Sequence, residues 1–237
     1  MGGTHYSLSM RRKSDGKDTM TRKAAKKKST RGRPAAGDVL LREQRLLDVA
    51  TAVFLECGFK RASMDAIARR AGASKQTLYA RYPSKSALFE AIVERKSTKI
   101  FEAIGPLSDA APMRETLIRF GITLLDMILA PEARGLHRVI IAECVEFPEL
   151  GELFWKLGPG RMHARLAEYM EKQRAAAAIQ CESCTRAVES LIGLLVSPIL
   201  LRTNLGLLAP HTRSPAQRAA WVTYTVDLLL CSIEVRV

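Results

Sequence analysis

Ser63-Met64-Asp65-Ala66-Ile67-Ala68-Arg69-Arg70-Ala71-Gly72-Ala73-Ser74-Lys75-Gln76-Thr77-Leu78-Tyr79 is the stretch on which the fold turns. Ser63 is a favoured N-cap, and Asp65 falls in the first turn behind it, where a carboxylate meets the positive end of the helix dipole. Ala66, Ile67 and Ala71 give the short helix Met64–Ala71 a small inward face. Gly72 breaks it, and Ser74 caps a second short helix from Lys75 to about Tyr79, which Pro83 ends. Upstream, Leu46, Ala50, Val53 and Phe54 form one apolar stripe on a helix from Asp38 to Cys57, stopped at Gly58 by a left-handed C-terminal cap. Downstream, Ser84 caps a longer helix carrying Leu88, Phe89, Ile92 and Val93. A helix, a short helix, a glycine turn and a second short helix make a helix-turn-helix layout.

The rest of the chain agrees with a helical reading. Its 237 residues suffice for one large domain or two small ones with a sizeable core. At 47% hydrophobic and 26% charged it is too apolar for disorder, and 6% aromatics argue against a barrel or sandwich built on aromatic strands. No uninterrupted apolar run approaches the ~20 residues of a membrane helix, and no apolar stretch follows the basic start as in a secretory signal. A cytoplasmic protein with no membrane partner is expected. Charge is uneven: residues 1–37 carry 11 Lys and Arg against 2 Asp and Glu, residues 38–97 carry 11 against 7, and residues 98–237 carry 15 against 15. The excess of +13 thus lies in the first two fifths, pointing to a polyanion, nucleic acid ahead of a membrane surface. A solvated basic tail is the other reading of the same charge.

Residues 1–37 read as a disordered basic tail with Tyr6 as its only aromatic; Met10 and Met20 offer alternative starts within it. It ends in Arg31-Gly32-Arg33-Pro34, which resembles an AT-hook. Narrow A·T-rich minor grooves concentrate negative potential, and Arg31 and Arg33 inserted there would lower it. An architectural A·T-rich DNA-binding protein acting through this tail is therefore one functional alternative.

The ordered motifs of residues 45–93 support another. Leu46-Leu47-Asp48-Val49-Ala50, Phe54, Gly58-Phe59, Ser63-Met64-Asp65-Ala66-Ile67-Ala68, Ala71-Gly72-Ala73-Ser74-Lys75-Gln76-Thr77-Leu78-Tyr79 and Tyr82-Pro83-Ser84-Lys85-Ser86-Ala87-Leu88 resemble the DNA-binding domain of TetR/AcrR-family regulators. Val49 stands where the family often has Ala, and Ala80-Arg81-Tyr82 departs from its usual residues; these bear on which operator is read. Farther on, Arg138-Val139-Ile140-Ile141-Ala142-Glu143, Phe147-Pro148-Glu149-Leu150, Leu153-Phe154 and Gly158-Pro159 are similar to the C-terminal half of an AefR-like subgroup. The resemblance implies an all-α protein. A three-helix helix-turn-helix domain (38–97) precedes a helical bundle for ligand binding and dimerisation (98–237). It also implies a one-component regulator, a repressor ahead of an activator, that binds a palindromic double-stranded DNA operator as a homodimer and is released by a small apolar effector.

On such a reader helix, Ser74, Lys75, Gln76, Thr77 and Tyr79 lie near bases and phosphates. Gln76 can bond adenine bidentately, and Thr77 can meet a thymine methyl or a phosphate. Ser63 at a helix N-terminus, Lys75 and Lys85 suit phosphate contacts. Tyr82 is read either as a hydroxyl on the DNA backbone or as an aromatic wedge between helices. In the bundle, Phe120, Leu124, Met127, His137, Ile141, Cys144, Phe154, Trp155 and Met162 are the expected pocket walls, with His137 and then His163 as the polar groups to watch. Two late helices carry broad apolar faces, from which Leu191, Leu195, Ile199, Trp221, Thr225 and Leu229 are expected at a two-fold interface.

No catalytic set is found: Walker, GxSxG and HExxH motifs and paired cleft carboxylates are absent, so neither an enzyme nor a bound cofactor or metal is expected. Cys181-Glu182-Ser183-Cys184 is a CxxC without a second pair or a nearby His, read as i, i+3 helix packing with a thiol sensor as its alternative.

Overall fold

The helices begin and end where local chemistry dictates. A computed structural model describes residues 36–108, 110–207 and 212–235. Among the described residues the chain forms α1 (Ala36–Arg61), α2 (Met64–Ala71), α3 (Lys75–Arg81), α4 (Lys85–Ile104), α5 (Met113–Ile128), α6 (Pro131–Glu143), α7 (Pro148–Leu157), α8 (Pro159–Ala175), α9 (Cys184–Asn204) and α10 (Pro215–Ser232). Ser74, Ser84, Ser183 and Ser214 each accept a hydrogen bond from the backbone N–H three residues on, capping α3, α4, α9 and α10. α6, α7, α8 and α10 start with proline, whose fixed φ and missing N–H suit the first helical position. Gly72 ends α2 in the left-handed conformation (φ 67°, ψ 27°).

The architecture is all-α, as expected, with one small addition. β1 (Ile179–Gln180) pairs antiparallel with β2 (Glu234–Val235), Ile179 opposite Val235, and ties the end of α10 to the approach to α9. α9 is long and apolar enough to cross a membrane by length and composition. Its Val188, Leu191, Leu195 and Ile199 are nevertheless buried in the chain's own core.

Two hydrophobic cores result. One gathers Phe54, Phe59, Ile67, Leu78, Leu88 and Phe89 from α1–α4. It also takes in Leu136 and Ile140 of α6 and Leu150 of α7. Phe59 lies 5.5 Å from Phe89 and 5.2 Å from Phe147, so aromatic edges lock the end of α1 against the α6–α7 junction. The other core joins α5, α8, α9 and α10 through residues such as Leu117, Leu166, Leu195 and Val222. Each such side chain contributes about 1.5–3 kcal/mol by leaving water. α4 runs unbroken across positions 97 and 98.

Candidate nucleic-acid interface and ligand cavity

α3 is anchored by one residue and presents the rest. Leu78 is fully buried, while Lys75, Gln76, Thr77 and Tyr79 are exposed on one side of the helix. Ser74 Oγ accepts from the Thr77 N–H at 3.0 Å and lies 2.7 Å from Thr77 Oγ1, which fixes both hydroxyls at the start of α3. Lys75 Nζ donates to Asp65 at 2.9 Å, and this bond raises the pKa of the lysine. Both side chains are more than half exposed, so the pair is worth little and a phosphate can replace the aspartate. Gln76 and Thr77 share an open recess with Ala80 and Arg81. Arg81 escaped sequence reasoning, although its place four residues after Thr77 puts it on the same face.

Three expected residues behave differently from their sequence assignment. Ser63 occupies the cap position of α2 in extended conformation, but its hydroxyl makes no capping bond. Tyr82 is only 7% exposed, with its hydroxyl donating to Glu43 at 3.1 Å. It is thus the wedge rather than a hydroxyl offered to DNA, because the turn into α4 aims it at α1. Lys85 Nζ donates to the carbonyls of Lys60 (2.9 Å) and Ala62 (3.2 Å) and lies 4.6 Å from the Phe59 ring centre. Its charge serves the negative end of α1. Arg31 and Arg33 lie outside the described residues.

A clasp between α1 and α6 was not legible in the sequence. Gly58 takes φ 79° and ψ 173°, a positive φ as expected but an extended rather than helical ψ. The turn exposes the amides of Phe59 and Lys60, and Glu143 at the end of α6 accepts from both, at 2.7 and 2.5 Å. A side chain at position 58 would collide with the Glu143 carboxylate. Lys60 Nζ adds an ion pair to Glu146 at 2.6 Å.

A cavity of about 200 Å3 is bounded by residues of α4 to α9. Of the expected walls, Leu124, His137, Phe154 and Met162 line it, and so does His163. Phe120 instead belongs to the bundle core, and Met127 is half-buried off the wall. Ile141 and Trp155 are 53% and 56% exposed. α6 turns Ala133, Leu136, His137 and Ile140 inward, and Ile141 sits roughly a quarter-turn off that stripe. Cys144 caps α6 with its thiol toward the Ile141 carbonyl. Sequence reasoning missed the α4 wall (Val93, Lys96, Ser97, Ile100) and the α9 wall (Ile192, Val196, Leu200). His137 packs edge-on to Phe154, centroids 5.7 Å apart, and its Nδ1 lies 3.4 Å from Asn204 Oδ1. Burial lowers the imidazole pKa, partly opposed by that bond.

The residues expected at a subunit interface also need correction. Leu191, Leu195, Ile199, Thr225 and Leu229 are buried within the single chain, and Trp221 is half-buried, its Nε1 donating to the Leu195 carbonyl at 3.2 Å. The apolar faces of α9 and α10 are broad enough to be divided: one stripe covers this chain's core, and another faces outward. Leu194 and Leu201 of α9 and Tyr224 and Leu228 of α10 are the exposed apolar residues of that outer stripe.

The CxxC is likewise not an intrahelical pair, since Cys181 precedes the cap Ser183 and only Cys184 enters α9. Burial pushes the Cys184 thiol up to about 12, which keeps it protonated and unreactive. Among the described residues no group of three or more His, Cys, Asp or Glu converges as a metal site.

A short helix with an exposed polar face after a glycine turn, carried on a helical bundle, is the build of a helix-turn-helix DNA-binding protein. Residues 46–92 match the family model for bacterial regulatory proteins of the tetR family, and residues 115–232 match the C-terminal domain of AefR-like transcriptional repressors. The chain belongs to the TetR family of transcriptional regulators, which are DNA-binding proteins and not enzymes. Over 70 residues it is 43% identical to the HTH-type transcriptional activator FasR of Mycolicibacterium smegmatis, covering 27% of this chain and 32% of that protein. Over 134 residues it is 28% identical to the nucleoid occlusion factor SlmA of Mannheimia succiniciproducens, covering 55% and 56%. These matches therefore span from just under a third to just over half of the relatives' length. A solved TetR-family regulator from Mesorhizobium loti (TM-score 0.72, 28% identity) covers 83% of this chain and 98% of its own. The flavonoid-responsive regulator FrrA (TM-score 0.72, 28% identity) covers 83% and 99%.

Proposed function

We propose that this regulator is a cytoplasmic homodimeric repressor whose residues 38–97 read a palindromic operator and whose residues 98–237 dimerise and hold a small apolar effector that releases the DNA. One observation carries the reading: Val93, Leu136 and Ile140 belong both to the core beneath α3 and to the wall of the cavity. An occupant that displaces them moves the support of the reader, and its differential affinity for the two arrangements sets how far operator binding falls. α4, which begins after α3 and lines the cavity, is the hinge. Ser63, Ser74, Lys75, Gln76, Thr77 and Tyr79 are assigned to DNA, with Arg81 added. The outer stripe of α9 and α10 is assigned to the partner subunit. The AefR-like match favours repression, and the name of FrrA favours a small-molecule response.

Genome-wide footprinting of the purified protein tests this. The expected result is a two-fold-symmetric footprint with half-sites about one helical turn, ~34–36 Å, apart, upstream of genes whose expression rises on deletion. A lone subunit indifferent to every promoter fragment overturns it. The basic tail keeps the architectural reading in play, since 11 Lys and Arg precede position 38. Removing residues 1–34 should weaken binding but keep the footprint; complete loss of binding would favour the architectural alternative.

A further inference from the structure

The cavity's chemistry restricts what the effector can be, and this step rests on reading the cavity as the effector site. At about 200 Å3 it is smaller than the ~300–1,000 Å3 of drug-sized sites, so the occupant has one or two small rings or a short chain. Only four of its seventeen lining residues are polar: Lys96, Ser97, His137 and His163. Lys96, the one Lys or Arg among the lining residues, is already paired with Glu132, so its charge is compensated within the wall. A carboxylate entering here must compete with Glu132 for Lys96 or exchange its water for the few neutral hydrogen-bonding groups of an otherwise apolar wall, and either is costly. His137 spends Nδ1 on Asn204, which leaves Nε2 as the ring's remaining hydrogen-bonding atom. The Ser97 side chain, on a residue only 6% exposed, supplies a neutral hydroxyl to the same cavity. A hydroxyl group on the ligand both donates and accepts, and therefore satisfies the imidazole nitrogen in either tautomer. The edge-on pair of His137 and Phe154 suits the face or edge of an aromatic ring.

We propose that the cavity binds a small uncharged molecule with an apolar, ring-containing body and one hydroxyl, engaged by His137, and that it rejects the corresponding carboxylate.

The test is calorimetric titration of the full chain with 2-naphthol, 2-methoxynaphthalene and 2-naphthoate. 2-Naphthol should bind about tenfold or more tighter than either analogue, the scale of one hydrogen bond or of an unpaired charge. His137→Leu should bring 2-naphthol level with the methyl ether, and Ile192→Trp, which fills the cavity, should abolish binding. If Ile192→Trp fails to fold, Val196→Phe serves the same purpose. Equal or tighter binding of 2-naphthoate overturns the proposal. So does an unchanged preference in His137→Leu, survival of binding in the filled variants, or failure of all three probes. A parallel operator-binding assay separates the two claims. Selective 2-naphthol binding that leaves operator affinity untouched supports the ligand class and overturns the effector reading instead.

Discussion

Gln76 and Tyr79 differ from Tyr82 in what they face, and that difference governs how each should respond to substitution. Gln76 and Tyr79 are exposed on α3, whereas Tyr82 is buried with its hydroxyl on Glu43. Replacing Gln76 or Tyr79 by Ala should cost roughly 1–3 kcal/mol of discrimination between operator and random DNA while leaving the unfolding midpoint nearly unchanged. Tyr82→Phe should do the reverse, losing about 0.5–1.5 kcal/mol of stability with discrimination intact. Competition binding and urea unfolding of the three variants separate the classes; equal discrimination by Gln76→Ala and wild type removes Gln76 from the site. His137 makes a second residue-level prediction. Burial holds its folded pKa below the ordinary histidine value, so the unfolded chain takes up the proton first as pH falls. Stability should therefore be flat above about pH 6.5, decline as pH drops through that unfolded value, and level off below the folded one. His137→Leu should flatten this limb, read from urea midpoints between about pH 7.5 and 5. Lys96, through its pair with Glu132, and His163 share the cavity and are retained in that variant.

At the level of whole helices, the contact between α1 and α6 is the part with the clearest mechanical consequence. Glu143 accepts two backbone hydrogen bonds from the turn after Gly58, while α6 presents Leu136, His137 and Ile140 to the cavity. Glu143→Ala should cost about 1–3 kcal/mol in urea unfolding, and Glu143→Gln less, since one acceptor remains. If α6 transmits the ligand's effect, Glu143→Ala should also bind operator nearly normally but respond weakly to a ligand that releases the wild type. An undiminished response in a folded Glu143→Ala protein would falsify transmission through this clasp. The bounds of α2 and the starts of α3 and α4 were readable in advance because capping residues, glycine breaks and prolines act within four residues of themselves, whereas α3 runs to Arg81, two residues past its expected end. The clasp was not, since Glu143 and Phe59 lie 84 positions apart and neither neighbourhood encodes the other. The cavity was half legible for a related reason. Periodicity marks a helix as amphipathic but does not say which apolar residue faces a gap, which a core and which water. Leu124 and His137 fell on the wall, whereas Phe120 went to the core and Trp155 to solvent.

For the whole molecule, the division of α9 and α10 into an inner and an outer stripe bears on assembly. Leu201→Lys with Leu228→Lys should yield a folded monomer, because both positions are exposed in the single chain. Leu195→Lys, fully buried, should instead unfold the bundle by stranding a charge at a cost of several kcal/mol. Sedimentation and circular dichroism distinguish the outcomes, and a dimer that survives the double change would place the interface elsewhere. Under the proposed function, the shared wall of Val93, Leu136 and Ile140 carries a last implication, for how the response to a ligand can be retrained. Altering those three to admit a new inducer also disturbs the platform under the reading head, so variants chosen for novel response would tend to lose repression or expression. Ile100, Ile128, Ile192 and Val196 touch the same space but pack only against the other core. On that same reading, those four are the natural starting library for a tailored biosensor.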